Sequence, residues 1–149
     1  MKNILYKDPS PYLQQHKNNP VHWQTWNNDS LKQAKTQKKP ILLSVGYSSC
    51  HWCHVMAHES FEDISTADLM NKFFINIKVD REERPDLDFV VQSSFQLFNQ
   101  SGGGWPLTMF LDENGVPFMG GTYFPKDEKH GLPAFITILQ YVHEAFVDQ

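Results

Sequence analysis

The sequence holds only two cysteines in 149 residues, Cys50 and Cys53, and they lie three positions apart. So low a count excludes a framework of several disulfides, and a bridge that closes so short a loop would add little stability. In a reducing compartment, closely spaced cysteines are more often catalytic or metal-binding. The cysteine count therefore indicates chemistry rather than a structural crosslink.

An excess of one charge and a long apolar run are also lacking. The chain has 13 Lys and Arg against 17 Asp and Glu, so nothing in its charge favours nucleic acid or an anionic membrane as partner. No segment approaches the roughly 20 apolar residues of a membrane helix. The polar N-terminus lacks the apolar core of a secretory signal. We therefore expect a cytoplasmic protein that binds neither nucleic acid nor membrane.

What the sequence does contain is the pattern of one globular domain, with 40% hydrophobic and 20% charged residues. Residues 1–26 have weak periodicity and are predicted to be an extended N-terminal extension, followed by the domain proper over 27–149. The predicted elements are helix 31–38, strand 41–45, helix 50–57, a helix from Ser65 or Thr66 to 74, strand 75–79, a helix from Pro85 to a break at 101–104, strand 107–111, hairpin strand 116–120 and a helix from Pro133.

This order of elements predicts the fold class. Parallel strands need a helical crossover, and a hairpin adds antiparallel strands. The fold class is therefore α/β, with a mixed central β-sheet flanked by helices on both faces. The helix that begins at Pro85 is expected to bury an apolar face made of Leu87, Val90, Val91, Phe95 and Phe98.

The cysteine pair follows the buried strand 41–45 through a short loop and lies at a predicted helix start. A helix N-terminus stabilises negative charge, so Cys50 is expected to have a lowered pKa and to be the exposed, attacking thiolate. Cys53 lies one turn later on the same face and would resolve a mixed disulfide. His51, when protonated, would favour the thiolate further, and Trp52 would shape the surface that binds a partner.

Four other interpretations of this cluster stay open. Cys50, Cys53, His54 and His58 lie on one helical face and contain a Cys₂His₂ zinc set, although structural zinc usually draws ligands from two segments. The motif also matches the c-type haem attachment pattern. Finally, both cysteines are structural thiols in the simplest case, or a vestigial site on a non-catalytic module that binds partners.

Two further groups have a plain structural interpretation that we favour. The charged stretch from Asp80 to Arg84 is expected to be a solvated loop with ion pairs, although its place after a strand, beside Cys50, leaves a functional role open. Tyr123 and Trp105 are expected to pack in the core. Of the two, Trp105 is the better candidate for a residue of the redox site.

Five stretches, taken together and in order, resemble one known family. They are residues 19–23 (NPVHW), 46–56 (GYSSCHWCHVM), 78–86 (KVDREERPD), 103–107 (GGWPL) and 120–125 (GGTYFP). They are similar to the thioredoxin-like domain at the N-terminus of the spermatogenesis-associated protein 20 family, the DUF255 group. Their joint occurrence is far more specific than a lone Cys-x-x-Cys.

The resemblance implies a thioredoxin-like fold and a redox-active Cys50–Cys53 disulfide. It implies that Pro106 is the cis-proline facing the cysteine pair, and that the Trp105 backbone pairs with an extended substrate. The expected partner is a disulfide- or thiol-bearing protein or a small thiol, and no cofactor is expected. Longer members of the family also carry a helical, glycosidase-like domain, a second expected partner. Thioredoxin has a buried Asp where this chain has Ser44, which cannot titrate.

Overall fold

The computed structural model describes residues 1–100 and 102–148, without the side chain of Phe98. Within these residues the helices and strands follow in the order α1 (Pro11–Gln14), α2 (Asn28–Gln37), β1 (Ile41–Gly46), α3 (His51–Met56), α4 (Ile64–Phe73), β2 (Ile75–Asp80), α5 (Pro85–Asn99), β3 (Leu107–Leu111), β4 (Pro117–Gly121) and α6 (Phe135–Val147). A 3₁₀ turn (Leu5–Lys7) precedes α1, and a π-helical turn (Ala57–Phe61) continues α3.

The four strands form one mixed sheet in the order β2-β1-β3-β4. The central strand β1 pairs in parallel with β2, where Leu43 lies beside Ile77, and antiparallel with β3, where Val45 lies beside Leu107. Strand β4 returns antiparallel to β3 after a turn in which Gly115 has a φ of 84°. The predicted mixed α/β sheet is confirmed.

The two faces of this sheet differ in composition. On one, which we call the Leu43 face, β1 and β2 carry only aliphatic side chains (Ile41, Leu43, Val45, Ile75, Ile77 and Val79). On the other, the Cys53 face, the alternate positions carry Leu42, Ser44, Gly46, Asn76, Lys78 and Asp80. The aromatic core around Cys53 covers this second face, with helices α1, α3, α4 and α6 contributing to it.

The prediction that residues 1–26 are an extended extension is wrong in its conformation. The segment contains the turn Leu5–Lys7 and the helix α1, and it buries Tyr12 and Trp23 completely in the core of the Cys53 face. Gln24 adds a bridge to β2 at Ile77. Apolar side chains separated by polar ones hid this packing, because they follow neither helical nor strand periodicity. The boundary at residue 26 itself stays a prediction.

Two local predictions need correction. Helix α4 is capped by Asp63, whose carboxylate accepts from the Thr66 amide at 3.0 Å, rather than by Ser65 or Thr66. Val90 is 58% exposed, because α5 packs through Leu87, Val91 and Phe95, which are spaced every four residues.

The expected core position of Phe98 and the break at Ser101 lie outside the described residues. Among residues 1–100 and 102–148, no helix is long and apolar enough to span a membrane.

Candidate redox site

Strand β1 ends at Gly46, and a three-residue loop, 47–49, places Cys50 at the N-cap of α3. The Cys50 amide donates to the Tyr47 carbonyl at 3.2 Å, which closes the loop. The Cys50 Sγ accepts from the Cys53 amide at 3.2 Å, so the sulfur takes the capping role that Ser or Asp has elsewhere. The two cysteines form a disulfide, with their Cα atoms 5.3 Å apart.

Both cysteines are buried in this disulfide form. Cys53 is 2% exposed, as expected of a resolving cysteine, but Cys50 is 4% exposed, and the expectation of an exposed Cys50 is therefore wrong for this state. Both cysteines belong to the buried core cluster of the Cys53 face, against which Tyr47, Trp105 and Tyr123 also pack. A sequence pattern gives spacing along the helix and says nothing about which distant residues bury a sulfur atom.

The side chains between the cysteines face outward. His51 is exposed and Trp52 is 47% exposed, with their ring centroids 5.3 Å apart. Trp52 also contacts Tyr123, at 4.9 Å between centroids. Burial, followed by a hydrogen bond from its hydroxyl to Glu59, raises the pKa of Tyr123. Tyr123, expected in the core, is partly buried and packs against the core cluster, and it also contacts the ring of Trp52.

Trp105 and Pro106 lie at the end of the sheet where β1 ends and the loop to Cys50 begins. The Trp105–Pro106 peptide bond is cis, as the resemblance implies. Since Val45 pairs with Leu107, the antiparallel register sets Pro106 across from Gly46. The indole of Trp105 contacts the ring of Tyr47 at 5.8 Å. Its Nε1 donates to the Asp88 carboxylate at 2.9 Å, which fixes the orientation of the ring.

The charged stretch after β2 divides into two parts. Arg84 and Asp86 form an exposed ion pair, as the solvated-loop interpretation expects. Arg81, in contrast, stacks on Trp105 at 4.4 Å from the ring centroid and lies 3.5 Å from Asp88. Next to this stack is an open groove of about 400 Å³ between α5 and the loop before Trp105. Sequence reasoning missed Arg81 as a part of the site, although its motif was among those quoted.

Beneath the cysteines lies a second group that sequence reasoning missed. Lys78 is 1% exposed, and its Nζ donates to the Ser44 hydroxyl at 2.9 Å. Burial lowers the pKa of Lys78 to about 7. The faces of three rings surround the ammonium, with centroids at 4.5 to 5.3 Å (Phe61, Trp23 and Tyr12), and oppose that lowering by cation–π attraction. The available signal was a lysine inside a strand whose other positions are buried.

The residues of the zinc interpretation do not converge. Cys50 and Cys53 are joined to each other, the His54 Nε2 lies 2.6 Å from the Ser48 carbonyl, and His58 pairs with Glu62 on the surface. Within the described part of the chain, no group of three or more His, Cys, Asp or Glu is arranged to hold a metal ion.

Two solved structures with similar folds are named as an oxidoreductase and as a thioredoxin. DsbH oxidoreductase matches with a TM-score of 0.61 at 17% identity, over 87% of this chain and 86% of that one. A thioredoxin from Thermus thermophilus matches with a TM-score of 0.60 at 16% identity, over 83% and 87%. At these identities the likeness shows the fold alone, and that fold is thioredoxin-like.

Sequence relatives are much closer. An uncharacterized protein of Caenorhabditis elegans is 51% identical over 95% of this chain and 19% of its own length, and human spermatogenesis-associated protein 20 is 46% identical over 95% and 18%. The chain thus spans less than a fifth of the length of these relatives. The family profile described as "Protein of unknown function, DUF255" matches residues 2–149. The chain therefore belongs to the thioredoxin-like DUF255 family.

Proposed function

We propose that this domain catalyses thiol–disulfide exchange, with Cys50 as the attacking and Cys53 as the resolving cysteine. The observation that carries the proposal is the Cys50–Cys53 disulfide at the start of α3, at the sheet edge where the cis Trp105–Pro106 bond also lies. The hydrogen bond from the Cys53 amide to the Cys50 sulfur supports it, because the same donor would stabilise a thiolate there.

In the reductive direction, the Cys50 thiolate attacks one sulfur of a substrate disulfide, and the other sulfur leaves as a thiolate. Cys53, after losing its proton, attacks the Cys50 sulfur, forms the Cys50–Cys53 bond and expels the second substrate sulfur. The pair loses two electrons and the substrate gains two. The two protons of the cysteine pair end, through solvent, on the two product thiols.

The substrate would be held by residues around the pair. An extended peptide would pair with the backbone of Trp105 beside Pro106, and the exposed ring of Trp52 would contact its side chains. His51, next to Cys50 and exposed, would favour the attacking thiolate when protonated. The proposed substrate class is a disulfide- or thiol-bearing protein, or a small thiol such as glutathione. No resident cofactor takes part in this scheme.

Equilibration with glutathione, followed by titration of free thiols, tests the proposal. We expect a two-electron transition between about −270 and −120 mV, the range of working oxidoreductases. Insulin reduction should require the same pair and vanish in Cys50→Ser. Cys53→Ser should accumulate a mixed disulfide at Cys50, because the resolving thiol is lost. Two free, unreactive thiols at every glutathione ratio would contradict the proposal.

A second candidate is a non-catalytic module that binds a partner through the same surface. The near-complete burial of Cys50 favours it, since a substrate disulfide cannot reach a residue that is 4% exposed until the side chains around it move. The candidate partner is the helical, glycosidase-like domain of longer family members. Two results together would favour the module. The Cys50→Ser variant would still bind the separately produced remainder of spermatogenesis-associated protein 20, and the unaltered chain would not reduce insulin. A zinc content near one per chain would favour the metal site over both.

A further inference from the structure

Tyr12 brings a hydroxyl into the core without a hydrogen-bond partner. Its side chain, on α1, is completely buried, and its oxygen has no partner among the described residues. Burial, with the Asp80 charge adding to it, raises the pKa of Tyr12, so the hydroxyl keeps its proton. An unpaired buried hydroxyl lowers the stability of the folded protein, because it gives up its hydrogen bond to water. Such a group indicates a partner that exists in another state of the protein.

The chemistry of the site supplies such a partner next to that hydroxyl. A methyl group placed on Gly46 would lie within 3.0 Å of both the Tyr12 oxygen and the Cys53 sulfur. Both atoms therefore border the same small space, which stays open because residue 46 has no side chain. In the disulfide, the Cys53 sulfur is a poor acceptor, but as a thiolate it becomes a strong one.

Lys78 supplies positive charge on the same side of the sheet. Its Nζ lies 5.3 Å from the centre of the Tyr12 ring, and its hydrogen bond in the described structure goes to a neutral group, the Ser44 hydroxyl. Lys78 pairs with Ser44, and Ser44 and Gly46 are alternate residues of β1 on the same face of the sheet. Lys78 therefore lies next to the position that borders the Cys53 sulfur. A buried ammonium without a paired anion would be stabilised by a thiolate at Cys53.

The other titratable groups around Tyr12 are already engaged or neutral. His16 meets the Tyr12 ring edge-on at 4.9 Å, and burial, followed by the charge of Lys78, lowers its pKa to about 2. The Asp80 carboxylate accepts from the Ser10 hydroxyl at 2.6 Å. His54, on the cysteine helix, contacts the Ser48 carbonyl. None of these groups is arranged to replace Tyr12 beside the Cys53 sulfur.

We propose that the Tyr12 hydroxyl donates a hydrogen bond to the Cys53 thiolate of the reduced protein, with the Lys78 ammonium adding positive charge behind it. Tyr12 keeps its proton throughout, and no bond forms or breaks at Tyr12. Its effect is on the acidity of Cys53, and hence on the fraction of attacking thiolate in the resolving step. The inference rests on the proposed exchange function and gives residues 1–26 a part in it.

The test uses a chain in which Cys53 is the only thiol. In the Cys50→Ser background, ultraviolet absorbance of the thiolate gives the Cys53 pKa without any turnover. Tyr12→Phe should raise that pKa by about one to two pH units, the equivalent of one hydrogen bond to a charged group. Tyr6→Phe is the matched control, since Tyr6 is half exposed in the same segment, and should leave the pKa unchanged. An unchanged pKa in Tyr12→Phe would overturn the inference.

Folding and function are separated by two further measurements. The oxidised Tyr12→Phe protein should be at least as stable as the parent, because the substitution removes only an unpaired hydroxyl. Lys78→Met, in the Cys50→Ser background, should also raise the Cys53 pKa, and no rise would refute the role of its charge. If the unaltered pair fails to exchange with glutathione while Tyr12→Phe still shifts the Cys53 pKa, the proposed function fails and the hydrogen bond stands.

Discussion

The two faces of the central sheet carry different chemistry on the same two strands. On the Leu43 face, β1 and β2 contribute six aliphatic side chains that pack against α5 and the apolar part of α2. On the Cys53 face, the alternate residues of the same strands include Ser44, Gly46 and Lys78, and a lysine ammonium lies among aromatic rings. Strand alternation thus separates groups that stabilise the fold from groups that surround the disulfide.

This difference predicts which property of the protein a substitution on each face should change. A change on the Leu43 face removes packing and should reduce stability without touching the cysteines. A change on the Cys53 face alters buried charge and hydrogen bonding, so it should alter the cysteines or the pH dependence of stability, sometimes while stabilising the protein.

Leu43→Ala should give the largest loss of stability. Leu43 is completely buried between Ile77 and Met109 of the neighbouring strands, and truncation of such a leucine costs about 2–5 kcal/mol. Urea unfolding of the oxidised protein measures the change. The Cys53 pKa, titrated in the Cys50→Ser background, should stay the same. A shift as large as that expected for Tyr12→Phe would show that the two faces are not separate.

Lys78→Met should stabilise the oxidised protein by about 1–4 kcal/mol at neutral pH, because it removes a buried charge that has no ion-pair partner among the described residues. Burial lowers the pKa of Lys78 from 10.5 to about 7, so between these values the unfolded chain binds more protons than the folded one. The stability of the unaltered protein should therefore rise with pH across this window. The advantage of Lys78→Met is largest at or below pH 7 and shrinks towards pH 10.5.

Unfolding free energies at several pH values, with Lys72→Met as control, check this prediction. Lys72 is exposed at the end of α4, so its replacement should change neither the stability at pH 7 nor its slope with pH. A gain in Lys78→Met that is constant with pH would mean that the pKa of Lys78 is the same in the folded and the unfolded chain, so that Lys78 is not a desolvated charge. Such a result would break the contrast between a charged and an apolar face.

Local patterns predicted most of the scaffold. Each of the signals that predicted it involves residues only a few positions apart. They are the apolar runs of β1 and β3, the proline and acidic residues at the start of α5, and the caps before α2. The Cys-x-x-Cys spacing and the five quoted stretches were enough to predict the fold, the disulfide and the cis bond at Pro106.

The parts that could not be predicted depend on residues far apart in the chain. Ser10 reaches Asp80 across 70 positions, and Tyr123 reaches Glu59 across 64. The sequence of residues 1–26 offers no periodic face, so nothing local indicated that Tyr12 lies beside Cys53. Burial of Cys50 has the same origin, because the core cluster that contains it draws on residues from Leu5 to Val142.

The smallest expected effect lies at the exposed edge of the site, in Tyr123→Phe. Burial raises the pKa of Glu59, but hydrogen bonds from Tyr123 and Lys129 outweigh it, and the net pKa lies below its usual 4.5. Loss of the Tyr123 hydroxyl should therefore destabilise the protein by less than about 1 kcal/mol near neutral pH. The difference should fade as pH falls below 4.5 and Glu59 takes up a proton.

Quenching of tryptophan fluorescence gives a second measurement on the same variant, because Trp52 is the exposed one of the four tryptophans. The Tyr123 ring still contacts Trp52 after the change, but it loses the hydrogen bond to Glu59 that fixes its position. The indole should become more accessible to a soluble quencher, while the Cys53 pKa stays the same because Tyr123 is not bonded to either sulfur. Tyr141→Phe, on the exposed side of α6, is the control. A raised Cys53 pKa in Tyr123→Phe would extend the influence of the Cys53 face to the surface and replace the sharp division between the two faces with a gradual one.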